Sequence, residues 1–466
     1  MSASAHHKPA TAAVNPHDPY AALRHVAYRR YLIGTFCANV GRQMTSVAVA
    51  WQIYQWTHSA TALGLVGLLN VIPLLICSLP AGAIADHFDR KRIIAISTGL
   101  TAGLSVLLAL VAFFNAAVPR LGILDLANAG LLRVALLFEQ QADAASLDFT
   151  HPALPVIYAI LFCMGAIRIL GWPARSALVP QLVPPSVLSN TMTWNSSAFE
   201  IATMTGPAIG GFLIAWLGFP AVYVLDAMLG LSLVVLLARV KILAADESSA
   251  TAGAVAPGKR SLKSLLAGAD FIWSKKVVLA ASGLDMFAVL LGGAVALLPI
   301  YADKILHVGP IGLGWLRAAP SIGAFGMAMW IAHRRPMQRP GLMLLWAVAG
   351  FGASVVVFGF SHWFWLSFLA LLATGAFDNV SVVVRQSLVQ LLTPNHLRGR
   401  VTSVNQIFVG SSNEIGTLRA GLMAALIGPV GAVVWGGLGT ILTVLVIARA
   451  VPQLKAVAAL DQLRPD

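Results

Sequence analysis

Twelve apolar stretches, each long enough to cross a lipid bilayer, occupy most of this chain. A membrane-spanning helix needs about 20 mostly apolar residues, because the hydrocarbon core is about 30 Å thick and each helical residue rises about 1.5 Å. The stretches cover residues 31–56, 61–85, 93–114, 153–172, 189–215, 219–239, 277–301, 311–332, 341–359, 363–384, 402–427 and 430–450. This pattern predicts an all-α integral membrane protein with twelve transmembrane helices.

The basic residues predict the orientation of these helices. Hydrophobic residues make up 58% of the chain and charged residues 11%, so a soluble fold could not bury this much apolar surface. Most of the 31 Lys and Arg residues lie in the two tails or in the joints after every second stretch, and only Arg120, Arg133 and Lys304 lie in joints on the other side. The positive-inside rule therefore places both termini in the cytoplasm. This placement also argues against nucleic acid as the partner of the formal charge of +13.

Two six-helix bundles are predicted, joined by a polar linker at 241–268 that is rich in small residues. A displacement of 210 residues aligns polar residues and glycines of the two halves: Arg175 with Arg385, Asn195 with Asn405, Gly206 with Gly416 and Gly211 with Gly421. We therefore predict an N-terminal bundle at 29–240 and a C-terminal bundle at 269–451. Parallel repeats of this kind are the plan of secondary transporters with a substrate site near the midplane.

Three further segments complete the predicted domain plan. Residues 1–28 lack the apolar core and cleavage pattern of a secretory signal, so we expect a disordered cytoplasmic tail there, and a second tail at 452–466. Residues 115–152 form an external insertion that the second half lacks. Its apolar part at 131–139 is too short to span the membrane, which predicts a helix on the outer surface. A lid over the substrate path is the alternative.

Motifs for catalysis and metal binding are missing from the sequence. There is no phosphate-binding G-x-x-x-x-G-K-[ST] loop, no H-E-x-x-H and no G-x-S-x-G. Cys37, Cys77 and Cys163 are odd in number and lie in apolar stretches, so we interpret them as small buried hydrophobes. We expect no catalytic residue, no metal site and no cofactor.

The joint after the second stretch reads GAIADHFDRKR at 82–92. This segment resembles the loop signature of the major facilitator superfamily, in which a glycine precedes an acidic residue and a basic cluster. The resemblance implies a cytoplasmic gate formed by Gly82, Asp86 and Arg90, although the basic residues also serve as topology anchors. The equivalent joint at 331–341 keeps basic residues without the acidic one, so the predicted gate is asymmetric.

The fifth stretch contains GPAIGG, which is similar to the antiporter motif of exporters in this superfamily. The resemblance implies a hinge at Gly206, Pro207, Gly210 and Gly211, and tight helix packing is the alternative interpretation. Four further segments resemble the branch of the superfamily that contains enterobactin and macrolide exporters: 51–65, 173–184, 263–273 and 396–416.

Ionisable residues inside apolar stretches are candidates for transport chemistry, because a charge facing lipid costs about 2.5–3.5 kcal/mol on insertion scales. Glu200 and Glu414 lie in the fifth and eleventh stretches, which correspond by the repeat, and a carboxylate that alternates between apolar and cationic surroundings can take up and release a proton. We predict proton coupling through Glu200 and Glu414, with Asp378 as a third candidate. A structural pair of Glu414 with Arg419 is the alternative, as is a salt bridge between Asp378 and Arg385.

Polar residues of the first, fifth and eleventh stretches are candidates for the substrate cavity. These are Arg42, Gln52, Asn195 and Asn405. A cation at Arg42 suits either an anionic substrate or a partner carboxylate. Asp226 and Asp285 lie near the ends of their stretches, where anchoring at the membrane interface is the simpler interpretation.

Together these features predict a proton-coupled exporter of a small amphipathic molecule, such as a siderophore or a drug, in the bacterial inner membrane. Its partners would be the substrate, protons and the lipid bilayer, and the proton gradient would be the energy source. We expect a monomer that binds no nucleic acid. A nutrient importer or facilitator on the same fold is one alternative, and a receptor or scaffold without transport is another.

Overall fold

The structure is a computed structural model, and it is almost entirely helical. It describes residues 18–114, 122–139, 147–149, 151–240, 269–333, 338–394 and 397–455, apart from the side chains of Leu79, Ala83, Asp86 and Ser403. The predicted linker at 241–268 lies outside the described residues, as do most of both predicted tails and the basic pair Arg334 and Arg335.

Eleven helices of 16 residues or more carry the described part of the fold. The first half contains α1 Val26–Thr57, α2 Ala60–His87, α3 Arg90–Phe113, α4 Gly122–Phe138, α5 Leu154–Leu178 and α6 Leu188–Ala238. The second half contains α7 Lys276–Leu291, α8 Gly309–Ala332, α9 Pro340–Phe360, α10 Phe364–Leu392 and α11 Arg398–Ala450. Eight helical segments among the described residues are long and apolar enough to span a membrane.

Two of these helices each contain two of the predicted stretches. α6 has 51 residues and α11 has 53, and a straight helix of that length would greatly exceed the bilayer. Each breaks at a glycine with positive φ, Gly218 at 77° and Gly428 at 78°, a conformation that side chains disfavour. Pro220 and Pro429 follow the two breaks and suit the start of a new helix.

Helix α7 ends at Leu291, ten residues before the end of the predicted stretch at 277–301, and the remaining residues form irregular backbone. After Leu291 the chain passes through a 3₁₀ helix at Ala294–Leu297, a single helical turn and a π-helical turn at Tyr301–Ile305. Irregular backbone at membrane depth is tolerated where it lines a cavity or is covered by protein. The carbonyl of Leu291, left free by the break, accepts a hydrogen bond from Arg419.

The internal repeat is visible in the helix boundaries. α1 and α7 begin at Val26 and Lys276, an offset of 250 residues. A histidine in the left-handed region follows α1 directly, His58, and another follows the irregular continuation of α7, His307. The later helices follow the offset of 210 residues that relates Gly218 to Gly428. The offset changes because the insertion at 115–152 lengthens only the first half.

The hydrophobic cores show where the two halves meet. At the end that holds the α1–α2 loop, one core contains residues of both halves, including Ile53, Leu63, Leu313 and Val433. At the opposite end, near the chain termini, each half has a core of its own, around Tyr28 and Leu237 in one and around Leu284 and Leu454 in the other. The halves are therefore joined at the loop end and separate at the end of the termini.

Glycines allow the close contact at the joined end. α2 packs against α11 and α6 packs against α8 as the main contacts between the halves. A Cβ added at Gly421 would collide with the backbone of Gly64, and one at Gly211 would lie 3.1 Å from Gly314 Cα. Small residues let helix backbones approach this closely.

Two predicted boundaries need correction. The predicted tail at 1–28 is too long, because Ala21–Arg24 forms a 3₁₀ helix and the buried Tyr28 donates a hydrogen bond to the carbonyl of Thr191 at 2.9 Å. In the insertion, α4 is a 17-residue helix that begins before the predicted segment at 131–139. Its end is held by the buried Glu139, which accepts hydrogen bonds from Ser59 Oγ at 2.5 Å and Thr61 N at 2.8 Å.

Candidate functional site

A cavity of about 600 Å³ lies between the two halves and is lined by helices of both. Its walls carry seven charged side chains: Arg42, Arg168, Arg175, Arg317, Asp226, Asp378 and Glu414. A concave site that combines apolar walls with a few converging polar groups is the usual form of a small-molecule site. Of the predicted residues, the structure brings Arg42, Asp378 and Glu414 together here.

The first half contributes three of the guanidinium groups. Arg42 on α1 donates a hydrogen bond to Asn39 Oδ1 at 3.0 Å. Arg175, near the end of α5, donates to Thr98 Oγ1 at 3.2 Å. Arg168 lies two turns earlier on α5. Both Arg42 and Arg175 thus bond to neutral oxygens in the described structure.

Asp226 on α6 is the acidic residue of this wall. Its Oδ2 accepts hydrogen bonds from Thr45 Oγ1 at 2.9 Å and Ser105 Oγ at 2.7 Å. Gly41 makes room for the carboxylate, since a Cβ there would lie 2.5 Å from Oδ1. The prediction that Asp226 anchors the chain at the membrane interface is wrong, because the side chain is buried beside the cavity.

Glu414 on α11 faces the first half across the cavity. Its Oε1 lies 3.8 Å from Arg168 Nη2, so this ion pair joins the two halves. Asn70 and Arg317 lie beside the same carboxylate. The alternative pairing of Glu414 with Arg419 is wrong, because Arg419 instead bonds to the carbonyl of Leu291.

Arg317 on α8 makes a second polar contact between the halves. Its Nη2 donates to Ser46 Oγ on α1 at 3.1 Å, and its Nη1 lies 3.5 Å from the carbonyl of Val295. The irregular segment after α7 supplies that carbonyl. Arg317 and Glu414 therefore both tie the second half to the first at the depth of the cavity.

Asp378 and Glu200 occupy different surroundings. Asp378 lines the cavity, and Glu200 is half-buried on α6, outside the lining but near enough to Asp378 for the two carboxylates to repel. The salt bridge of Asp378 with Arg385 is not formed, although Arg385 lies near enough to attract the Asp378 carboxylate. Arg385 instead pairs with Asp285 at 3.2 Å, and both side chains are buried. Asp285 is therefore a buried partner of Arg385 and does not lie at the membrane interface.

Three predicted cavity residues do not line the cavity in the described structure. Each of them forms a hydrogen bond with another side chain instead. Gln52 is buried and accepts a hydrogen bond from Tyr223 Oη at 2.6 Å. Asn195 and Asn405 make longer contacts of 3.4 Å, with Tyr28 Oη and Arg385 Nη1. These amides stabilise helix contacts around the cavity and are not part of its lining.

The predicted gate lies at the end of the termini. Gly82 and Asp86 are in the last two turns of α2, and the Asp86 side chain lies outside the described part of the chain. Arg90 begins α3 and donates to the carbonyl of Ala177 at 3.1 Å, which attaches α3 to the end of α5. The gating role of these residues stays a prediction.

The predicted hinge lies where α6 meets two other helices. A Cβ at Gly206 or Gly210 would press on Gln43 or Met44 of α1, and one at Gly211 would press on α8. The carbonyl of Pro207 also lies against α8, beside Gly314. These contacts support close packing at this position, and the hinge itself stays a prediction.

Arg175 is the main cavity residue absent from the predictions, because it lies in the basic joint after the fourth apolar stretch. Asn70, Thr45 and Ser105 carry no charge and gave no signal. The repeat could have indicated Arg175, since it aligns with the buried Arg385. Among the described residues, no group of three or more His, Cys, Asp or Glu side chains could hold a metal ion.

Comparisons with known proteins agree with this architecture. A profile of the Major Facilitator Superfamily matches residues 31–417. The enterobactin exporter EntS of Citrobacter koseri is 25% identical over 433 residues, covering 92% of this chain and 93% of the exporter. EntS of Escherichia coli O81 is 25% identical over 431 residues, with the same coverage.

Solved structures show the same fold at low sequence identity. A bacterial homologue of the iron transporter ferroportin, in an inward-facing state, aligns with a TM-score of 0.63 and 16% identity over 93% of this chain and 99% of that one. The inward-open xylose transporter XylE of Escherichia coli aligns with a TM-score of 0.57 and 13% identity, over 93% and 97% of the two chains. The chain therefore belongs to the major facilitator superfamily, and it is a multi-pass membrane transporter and not an enzyme.

Proposed function

We propose that this transporter is a proton-coupled exporter of a small amphipathic molecule, such as a siderophore or a drug. It crosses the bacterial inner membrane twelve times, with both termini in the cytoplasm, and works as a monomer of two six-helix bundles at 29–240 and 269–451. The observation that carries the proposal is the charged cavity between the halves, in which Glu414 of one half faces Arg168 of the other. The likeness to enterobactin exporters supports export as the direction.

Alternating access explains how this cavity would serve transport. The halves share one core at the loop end and have separate cores at the end of the termini. With the termini in the cytoplasm, this arrangement is an inward-facing state that receives substrate from the cell. Rocking of one bundle against the other would then close the cytoplasmic end, where Gly82, Asp86 and Arg90 form the gate, and would open the outer end.

Proton coupling is assigned first to Glu414. Protonation would neutralise its carboxylate and remove the attraction to Arg168, so the proton would weaken a contact that holds the two bundles in one orientation. Asp378 and Glu200 form a second pair, on different halves, whose mutual repulsion a proton would relieve, in addition to the stronger effects of Asp285 and Arg385 on Asp378. A proton that enters from outside and binds to the Asp378–Glu200 pair would favour the movement that returns the cavity to the cytoplasm. Once Glu414 releases its proton to the cytoplasm, its attraction to Arg168 would hold that inward-facing state while substrate enters.

The test is proton movement in everted membrane vesicles loaded with a fluorescent pH indicator and energised by respiration. We expect that adding siderophores and amphipathic antibiotics in turn identifies compounds that release protons from vesicles with the wild-type protein. Glu414→Gln should abolish this release. Asp125→Asn, which changes an exposed carboxylate on α4, is the matched control and should retain it.

Three outcomes would count against the proposal. Proton release that persists in Glu414→Gln would remove the coupling role of Glu414. Compound-driven proton uptake with accumulation in intact cells would identify an importer. Binding of a compound without flux in either direction would favour the receptor alternative.

A further inference from the structure

We infer that the cavity binds the acidic group of an amphipathic anion, at a site formed by Arg42, Arg168 and Arg175. The inference rests on the proposed function, because it assigns a substrate class to the same cavity. These three residues, called here the arginine site, lie on the wall contributed by the first half.

The arginine site carries more positive charge than its surroundings neutralise. The three guanidinium groups lie near enough to repel one another. Asp226 on the same wall attracts Arg42 while it accepts hydrogen bonds from Thr45 and Ser105, and Glu414 faces Arg168, so the three guanidinium groups are opposed by two carboxylates and Arg175 has neither as a partner. Uncompensated charge is costly inside a membrane protein, which is why retained cations there usually face a ligand or a partner.

The second half provides an internal comparison. Its Arg385, the repeat counterpart of Arg175, forms a buried ion pair with Asp285. Asp285 is the tenth residue of α7, and the tenth residue of α1 is Thr35. The first half therefore has a neutral hydroxyl where the second half has a carboxylate. Thr35 lies beside Tyr31, whose ring is near Arg175, so the position faces the same arginine.

Because Thr35 supplies no carboxylate at this position, Arg175 keeps N–H donors that form no hydrogen bond within the described part of the chain. Arg175 Nη2 bonds to the neutral Thr98 Oγ1, and its buried Nε has no hydrogen-bond partner among the described residues. Arg175 lines the cavity, whereas Arg385 does not. A carboxylate, phosphate or sulfonate can accept two parallel hydrogen bonds from a guanidinium, which matches this arrangement.

Arg168 is held only weakly by its own partner. Its distance of 3.8 Å to Glu414 Oε1 exceeds the 2.7–3.2 Å of ordinary N–H···O hydrogen bonds, and the two side chains are 37% and 23% exposed. An incoming anion can therefore replace Glu414 at Arg168. Removal of the competing carboxylate should strengthen anion binding.

The rest of the cavity suits the apolar part of the ligand. Towards the joined end its lining is apolar and includes Val49, Leu63, Val66, Phe351 and Val355. The arginine site lies nearer the end of the termini, because Arg175 is in the last turn of α5. An amphipathic anion would thus place its apolar part in the deep end and its acidic group at the arginines.

The first test compares ligands that differ only in charge. Thermal stabilisation of the purified full-length protein is measured with 1-naphthoate, the neutral 1-naphthamide and 1-naphthylmethylammonium. We expect the acid to stabilise the wild-type protein most. Equal stabilisation by the amide or the amine, or none by the acid, would overturn the inference.

The second test restores the missing carboxylate. Thr35→Asp should pair with Arg175 and weaken the binding of 1-naphthoate about tenfold or more, the effect of losing one charge-assisted contact. Thr35→Asn, of similar size but neutral, should retain binding within about twofold. An equal loss in both variants, or no loss in Thr35→Asp, would contradict the inference.

A third variant separates this inference from the proposed function. Glu414→Gln should bind 1-naphthoate more tightly than the wild type, while it loses coupled proton release in vesicles. Unchanged or weaker anion binding in Glu414→Gln would contradict the competition at Arg168 and with it the arginine site. Tighter anion binding with undiminished proton release would instead contradict the coupling role of Glu414 and would support the arginine site.

Discussion

Gly64 on α2 and Gly421 on α11 lie so close together that neither position has room for a side chain. They belong to different halves, and the repeat-related contact of Gly314 with Gly211 joins α8 to α6 in the same way. The two contacts lie on either side of the cavity, near its closed end. The transporter is therefore closed at this end by backbone contact between its halves.

A methyl group at this contact should open the closed end. In Gly421→Ala the new Cβ would collide with the backbone of Gly64, so we expect the population to shift away from the present orientation. Spin-label distances across the end of the termini should become shorter. Gly103→Ala on α3, where a Cβ meets nothing within 4 Å, is the control and should leave the distances unchanged.

Removal of one partner of the buried ion pair should destabilise the second half. Asp285 and Arg385 are 3% and 4% exposed, and an unpaired charge at either position would cost roughly 3–5 kcal/mol. We expect Asp285→Asn and Arg385→Gln each to lower the melting temperature in detergent. The double variant should be less destabilised than the sum of both, and additivity would contradict the pairing.

Glu139 should control the order of α4. Its buried carboxylate accepts hydrogen bonds from Ser59 and Thr61 at the start of α2, and their loss would leave buried donors unsatisfied at a cost of about 1–3 kcal/mol. In Glu139→Ala we expect faster hydrogen exchange in α4 and at the start of α2. Asp125→Ala changes an exposed residue of the same helix, and equally fast exchange there would argue against a specific role of Glu139.

The contact of His151 with Trp56 should weaken in acid. The rings stack with centroids 3.7 Å apart, and burial lowers the pKa of His151, although Asp148 acts in the opposite direction. When the two rings separate, the His151 imidazole binds a proton more readily than when it is stacked on Trp56. The contact is therefore fully stable above a pH of about 6.5 and loses stability as the pH falls.

Hydrogen exchange near residue 151, corrected for the intrinsic effect of pH, should therefore accelerate between pH 7.5 and 5.5. His151→Phe keeps an aromatic ring without a titrating group and should show no such change. Identical pH dependence in both proteins would assign the effect to another residue.

Part of the site could be predicted from sequence, because placing a charged side chain in the lipid core costs free energy and an ionisable residue in an apolar stretch therefore indicates a functional role. Arg42, Asp378 and Glu414 stood out as ionisable residues in apolar stretches, and the cavity contains all three. Gln52 is a candidate on its position in the first stretch alone, and in the structure it accepts a hydrogen bond from Tyr223. Neutral polar residues of a helix cannot be assigned to a cavity until the rotation of that helix is known.

The amino-acid sequence by itself determined the helical membrane architecture, because every backbone polar group in the hydrocarbon core must be satisfied within a helix. It also determined the repeat and the place of the insertion. The tertiary structure decided which charges meet. Glu414 faces Arg168 instead of Arg419, and Arg385 pairs with Asp285 while Arg175 has only Thr35 at the equivalent position. These partners depend on how the helices pack and rotate against one another, and residues far apart in the chain carry no local signal of that packing.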